Sequence, residues 1–287
     1  MKIGSTLEIT KWGKLVKFSH TIFALPFALS MLFVVQRDFP VSMSKITWIL
    51  ICLVSARTGA MTLNRIIDRN IDGLNPRTRN RELPQGIVTL RSVQALLLLS
   101  YGIFLGAAAM LGRHTLILAP FVLAILSFYS WTKRWTSWSH LVLGACLAMA
   151  PGGVWYALTG IVSVVPLWLM LGVALWVAGF DIIYSCQDMD FDRSQGLFSI
   201  PARIGLGRAL NLARILHFMA VISIAIFGIY AELGSYFFIG LIVFSAVLFS
   251  QHGIVSENNL SRVNEAFFVR NGMGSVVFMI GTLIDCL

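Results

Sequence analysis

The sequence predicts an all-α, multi-pass transmembrane helical bundle, and three observations support this fold class. Of the 287 residues, 57% are hydrophobic and only 12% are charged, whereas an ordinary soluble domain carries about 25% charged residues. The apolar residues form about nine runs of the length that a membrane-spanning helix needs, roughly 20 residues. Lysine and arginine are concentrated in alternate connections between these runs, as the positive-inside rule expects of a membrane protein.

The elements follow in order along the chain. Residues 1–14, with Trp12 among lysines, predict a short interfacial helix rather than a cleavable signal peptide. Polar or Gly/Pro-rich interruptions then separate nine predicted spans: 16–36, 44–67, 92–111, 115–132, 139–159, 165–187, 210–230, 234–251 and 265–286. We interpret residues 1–287 as a single membrane domain.

Charge sets the expected orientation of these spans. With the N-terminus inside, the connections 68–91, 133–138, 188–209 and 252–264 are cytoplasmic, and all but three of the 22 lysines and arginines lie near them or near the N-terminus. This asymmetry favours a protein of the cell (inner) membrane whose N-terminus and site loops are cytoplasmic. The net charge of +9 comes with no RNA- or DNA-binding motif, so we expect membrane lipid, and not nucleic acid, as a partner.

Two acidic motifs lie at the ends of the second and sixth spans. The first is N-x-x-x-D-x-x-x-D at Asn64, Asp68 and Asp72, and the second is Y-x-x-x-D-x-x-x-D at Tyr184, Asp188 and Asp192. In a helix, positions i, i+4 and i+8 stay on one face, so each motif presents a column of oxygen ligands. Both spans are even-numbered, so both columns are expected on the same side of the membrane.

These carboxylates suit a magnesium ion, which takes one or two carboxylates together with substrate phosphates. Two facing columns therefore predict a Mg²⁺ site formed by Asp68, Asp72, Asp188 and Asp192. A carboxylate near the centre of a span costs about 3 kcal/mol, which argues against aspartates that merely solvate helix ends. Asp181, two turns deeper on the face of Asp188, is a functional candidate for the same reason.

Basic residues accompany both motifs. Guanidinium groups bind phosphate oxygens in pairs, so Arg65, Arg69 and Arg77 predict a diphosphate substrate. Lys133, at the end of the fourth span, and Arg203, in a Gly/Pro-containing loop after the second motif, are further candidates. For three more arginines, topology and contacts with lipid head groups are the preferred interpretation: Arg79, Arg81 and Arg91.

Taken together, these stretches resemble the UbiA-type intramembrane aromatic prenyltransferases. The resemblance rests on the two motifs, the N-P-R-T loop at 75–78, the G-L-x-S-I-P-x-R-x-G loop at 196–205, and residues 20–27, which look like the 4-hydroxybenzoate polyprenyltransferase branch. It covers about residues 12–286. This chain has Arg65 after the asparagine, where N-D-x-x-D is commoner, a change that leaves the metal column intact.

The resemblance implies nine helices around a central cavity, Mg²⁺ between the two motifs, and transfer of a polyprenyl group from a polyprenyl diphosphate to a hydroxylated aromatic acid, first of all 4-hydroxybenzoate, in quinone biosynthesis. It also implies that Asn64 and Tyr184 contact the donor beside the motif aspartates. We expect Asp68 and Asp188 to be catalytic through metal-assisted departure of the diphosphate. Asp181 is the candidate for holding the phenol or accepting a proton.

Other functions stay open on the sequence. A dihydroxynaphthoate of menaquinone biosynthesis is an alternative acceptor, and haem farnesylation, chlorophyll esterification and archaeal ether-lipid synthesis occur in the same superfamily. A non-enzymatic transporter or quinone-binding protein is the more distant alternative. It predicts acidic residues spread through the depth of the bilayer, whereas here they cluster at one face beside arginines.

Overall fold

The computed structural model describes residues 12–17, 21 and 23–287, and every regular element in this part of the chain is helical. The helices are α1 (Leu25–Asp38), α2 (Met43–Leu74), α3 (Leu90–Leu111), α4 (Arg113–Thr132), α5 (Ser139–Thr159), α6 (Val164–Ser185), α7 (Met189–Ser194), α8 (Ile200–Ile204), α9 (Leu206–Tyr230), α10 (Ser235–Ile254) and α11 (Asn271–Cys286). A turn of 3₁₀ helix, Cys186–Asp188, joins α6 to α7, and a π-helical segment, Glu265–Arg270, precedes α11.

Eight helical stretches among the described residues are long and apolar enough to cross a membrane. The predicted all-α, multi-pass class is therefore confirmed, and the chain is an integral membrane protein. The first predicted span, 16–36, overlaps helix α1, which begins only at Leu25, has 14 residues and is too short to be one of the eight. The predicted interfacial segment, 1–14, lies outside the described residues except for its last three, which belong to a helical turn at 12–15.

The chain divides into two compact units. One contains the described part of 1–21 together with Met43–Trp131, and the other contains Ile22–Ser42 together with Thr132–Leu287. The single domain expected from the sequence stays a prediction.

In the first unit, α2 packs along α3. The two helices approach closely at Gly59, where an added Cβ would clash with the ring of Tyr101. The Tyr101 hydroxyl is 2.9 Å from the Ser127 hydroxyl of α4, so this ring also ties α3 to α4. Helix α2 is 32 residues long and continues past its predicted end at 67, so the whole first aspartate motif is helical, as predicted.

In the second unit, α6 is the most enclosed span and packs against both α5 and α9. A Cβ at Gly144 would clash with the Ala174 carbonyl oxygen, so the backbones of α5 and α6 pack closely at this point. Around α6, the Phe27 ring packs on Trp176 and Phe278 with centroids 4.9 and 5.0 Å apart. The close packing of α5 on α6 brings the N-terminal end of α5 beside the C-terminal half of α6, where the second group of candidate residues lies.

Candidate active site

The first aspartate motif forms a buried column on the last turns of α2. Asp68 and Asp72 are only 3% and 5% exposed. The Asn64 Nδ2 donates to Asp68 Oδ2 at 3.1 Å, so the first two members of the motif contact each other. Arg81 Nη1 lies 2.7 Å from both carboxylate oxygens of Asp72, and Arg65 Nη1 lies 3.8 Å from one of them. Two guanidinium groups therefore balance the charge of one buried carboxylate.

The loop after α2 returns Arg81 to this column. Asn75 N–H bonds to the Ile71 carbonyl at the helix end, and the Thr78 hydroxyl donates to the Asp72 carbonyl at 3.0 Å. These bonds fold the N-P-R-T segment back beneath the motif. Arg81 therefore pairs with Asp72, and not with lipid head groups as the sequence suggested. The sequence could not predict this pair, because it gives no sign of which loop residue folds back onto the helix.

Two other arginines predicted to bind substrate are exposed. Arg69 Nε is 3.5 Å from the Asn70 side-chain oxygen at the end of α2, and Arg77 lies in the following loop. Their contribution to donor binding stays a prediction.

A further arginine, Arg57, was not identified from the sequence because it lies inside a span and outside any motif. Its Nη1 and Nη2 donate to the carbonyls of Val16 at 3.1 Å and Lys17 at 2.6 Å. Arg65 Nε donates to the neighbouring carbonyl of Leu15 at 3.1 Å. Two arginines of α2 thus satisfy three consecutive carbonyls and fix the N-terminal segment beside the column.

This end of the first unit is strongly cationic. Burial, followed by the charges of Arg65 and Arg81, lowers the pKa of Lys17, and the charge of Arg77 acts in the same direction with a smaller effect. The clustered positive charges, next to two buried carboxylates, are suited to an anionic ligand that brings metal ions with it.

The second motif departs from the predicted single helical column. Helix α6 ends at Ser185, and the chain passes through the 3₁₀ turn before α7 begins at Met189. A 3₁₀ turn has three residues rather than 3.6, so Asp188 and Asp192 are not in the α-helical register that was predicted. Both are half-buried, and Asp192 lies near the charges of Asp188 and Lys133 and bonds to the Ser199 side chain. The Tyr184 ring packs on Phe267, with centroids 4.3 Å apart.

Two connections in the second unit are joined beside this motif. The Phe198 N–H donates to the Lys133 carbonyl at 2.8 Å, and Arg203 Nη1 donates to the Ser137 hydroxyl at 3.1 Å. Lys133 and Arg203 therefore both contribute hydrogen bonds that join these two connections. Their predicted contacts with substrate stay a prediction.

Asp181 has a partner that sequence analysis missed. Its Oδ2 lies 2.7 Å from His140 Nδ1, and the other ring nitrogen, Nε2, accepts the Ile200 N–H at 3.3 Å. His140 is only 4% exposed. The three residues are far apart in the sequence, in α5, α6 and α8, so no local pattern links them.

The carboxylates of the two motifs are the candidate ligands for a magnesium ion. Among the described residues, no group of three or more His, Cys, Asp or Glu side chains is close enough to hold a metal ion. Each motif nevertheless supplies two carboxylates, and Mg²⁺ typically takes one or two from the protein and the rest of its ligands from phosphate and water. The residues present therefore fit Mg²⁺ that arrives with a diphosphate.

The fold and these residues define a class, a multi-pass membrane protein with an aspartate motif at the end of a long helix in each of two units. A family model described as the UbiA prenyltransferase family matches residues 23–273. The chain belongs to this family and is a prenyltransferase. This finding confirms the resemblance that the two motifs and their loops carry.

Named relatives include two 4-hydroxybenzoate octaprenyltransferases. The protein from Nitrosomonas europaea is 30% identical over 236 residues, which cover 80% of this chain and 78% of the relative. The protein from Chromohalobacter salexigens is 28% identical over 225 residues, covering 77% and 74%.

Solved structures share the fold. A UbiA homologue from Aeropyrum pernix K1 in its apo form is 35% identical with a TM-score of 0.84, covering 93% of this chain and 98% of that one. A UbiA homologue from Archaeoglobus fulgidus bound to GPP and Mg²⁺ is 18% identical with a TM-score of 0.74, covering 96% and 99%. At 18% identity, the second comparison concerns the fold alone.

Proposed function

We propose that this protein transfers a polyprenyl group from a polyprenyl diphosphate to 4-hydroxybenzoate, in the quinone biosynthesis of its host. The observation that carries the proposal is the juxtaposition of buried Asp68 and Asp72 with Lys17, Arg65 and Arg81. Buried carboxylates next to cationic side chains suit a phosphorylated ligand that binds together with a metal ion. The octaprenyltransferase names of two relatives support 4-hydroxybenzoate as acceptor and a long prenyl chain.

The donor diphosphate is the ligand we assign to the cationic end of the first unit. Arg65 and Arg81 have Asp72 as their anionic partner in this structure, and a diphosphate offers the same guanidinium groups further oxygens. We assign Mg²⁺ binding to Asp68, Asp72, Asp188 and Asp192. When bound, Mg²⁺ supplies neutralisation of the charge that develops on the leaving diphosphate.

The transfer step is an electrophilic substitution on the aromatic ring. The bond between the prenyl carbon and the diphosphate oxygen breaks, and the ring carbon ortho to the hydroxyl forms the new carbon–carbon bond. The ring then loses the proton from that carbon. Asp181 is our candidate for holding the phenol hydroxyl or accepting this proton, because its carboxylate lies inside a span and is oriented by His140.

The proposed setting is the cell (inner) membrane, with both motifs on the cytoplasmic side. The concentration of lysine and arginine in alternate connections supports this orientation. At a cytoplasmic site, the water-soluble aromatic acid can enter from the cytoplasm and the membrane-anchored prenyl donor can enter from the bilayer.

Product analysis tests the proposal. Membranes containing the protein are incubated with a labelled polyprenyl diphosphate and either 4-hydroxybenzoate or a dihydroxynaphthoate, and the lipid products are identified by mass spectrometry. We expect a ring-prenylated 4-hydroxybenzoate. Prenylated naphthoate alone would assign the protein to menaquinone synthesis instead, and the absence of any prenylated aromatic would refute the acceptor class.

A further inference from the structure

We infer that His140 is a positioning residue for Asp181, which it holds in the orientation needed to bind the aromatic acceptor. This inference rests on the proposed function and deepens it. Its basis is the bond between His140 Nδ1 and Asp181 Oδ2, at 2.7 Å, in a pair whose side chains are 5% and 23% exposed.

The hydrogen-bond geometry gives each ring nitrogen of His140 a separate role. A backbone N–H can only donate, so the Ile200 N–H at 3.3 Å requires His140 Nε2 to be an unprotonated acceptor. Nδ1 is then the nitrogen that donates to Asp181. The Asp181 carboxylate therefore receives a hydrogen bond from His140.

The remaining carboxylate oxygen of Asp181 is the one we assign to the acceptor. Among the described residues, Asp181 Oδ2 bonds to His140, and Oδ1 has no hydrogen-bond partner. A carboxylate held through one oxygen keeps its other oxygen directed at a fixed place. This matters because a misplacement of about 1 Å at a reacting group can cost roughly 100-fold in rate.

The packing of three elements maintains the pair. His140 is on the first turn of α5, Asp181 is on the next-to-last turn of α6, and the close approach at Gly144 holds these two helices together. Ile200 opens α8, directly after Ser199, whose hydroxyl accepts the Ala202 N–H at 3.4 Å. His140 therefore also connects Asp181 to the loop that follows the second motif.

Two amide substitutions separate the two bonds of His140. In His140→Asn, the side-chain amide takes the place of Nδ1 and can still donate to Asp181. In His140→Gln, the amide reaches the place of Nε2 and can accept from Ile200, but leaves Asp181 without its donor. We expect His140→Gln to lower kcat/KM for the aromatic acid about 10- to 100-fold, with the KM for polyprenyl diphosphate unchanged. His140→Asn should recover most of this loss.

The outcomes separate this inference from the proposed function. Failure of the wild-type protein to prenylate any aromatic acid refutes the proposed function itself. If the wild type is active, equal losses in the Asn and Gln variants, or equal changes in the KM of both substrates, overturn the positioning role. A wild-type rate in His140→Gln overturns it as well.

A measurement on the unsubstituted protein does not depend on how the variants fold. With ¹⁵N-labelled histidine, of which the chain has five, solid-state NMR reports which ring nitrogen of each imidazole carries the proton. His140 should show the proton on Nδ1. A proton on Nε2 would contradict the assignment.

Discussion

Replacement of Arg81 by alanine gives a sharp test of the buried ion pair at the first motif. Removing one partner of a fully buried pair typically costs about 3–5 kcal/mol. Here the Asp72 side chain is 7% exposed and Arg81 is 21% exposed, and Arg65 remains 3.8 Å from the carboxylate. The loss should therefore fall below that range, and we expect Arg81→Ala to lower the free energy of unfolding by about 2 kcal/mol.

Arg79→Ala is the matched control for this variant. It removes the same charge from the same loop, but Arg79 is exposed, and the bond that it receives from Gln85 is to its backbone carbonyl. Unfolding in mixed micelles of increasing SDS content, followed by circular dichroism, compares the two. Equal loss in Arg79→Ala and Arg81→Ala would refute the reasoning, as would strict additivity of Arg81→Ala with Asp72→Asn, because contacting partners should be non-additive by at least about 0.5 kcal/mol.

Two further predictions concern chemistry and packing. Asp68→Ala and Asp188→Ala should each lower prenyl transfer by about 1,000-fold or more, while membrane insertion is retained. The control, Asp190→Ala, changes an exposed position between the motif aspartates and should keep near-normal turnover. Comparable activity in all three variants would contradict the site assignment. Gly144→Ala should destabilise the second unit by about 1–3 kcal/mol, because its Cβ would meet the Ala174 carbonyl, whereas Gly153→Ala in the same helix has nothing within 4 Å and should unfold like the wild type. A smaller effect at Gly144 than at Gly153 would show that the helices can separate without cost.

The sequence sufficed for what depends on composition and local period. Apolar runs of the length of a bilayer predicted the helices, and the i, i+4, i+8 spacing predicted that Asn64, Asp68 and Asp72 share a helix face. Both inferences need only residues that lie close together along the chain. The second motif differed because the helix tightens into a 3₁₀ turn at Cys186–Asp188, and the spacing of the aspartates carries no sign of that turn.

Contacts between distant segments were beyond the reach of the sequence. The sequence gives Arg81 the same topological interpretation as Arg79 and Arg91, yet its guanidinium binds Asp72 because the Thr78 hydroxyl bonds to the helix end and folds the loop back. Arg57 and His140 lie in apolar helices outside any motif, and only the fold shows their partners. An arginine inside a predicted span is a costly residue and was the one signal that could have drawn attention to Arg57.

The activity we propose for this protein is metal-dependent transfer of a polyprenyl group to an aromatic acid. Its most direct test is transfer of labelled polyprenyl diphosphate to 4-hydroxybenzoate by the purified protein, first with EDTA and then after Mg²⁺ is restored. We predict that EDTA abolishes transfer and that excess Mg²⁺ restores it to the starting rate. Transfer that continues undiminished in EDTA would contradict the role assigned to the four motif aspartates.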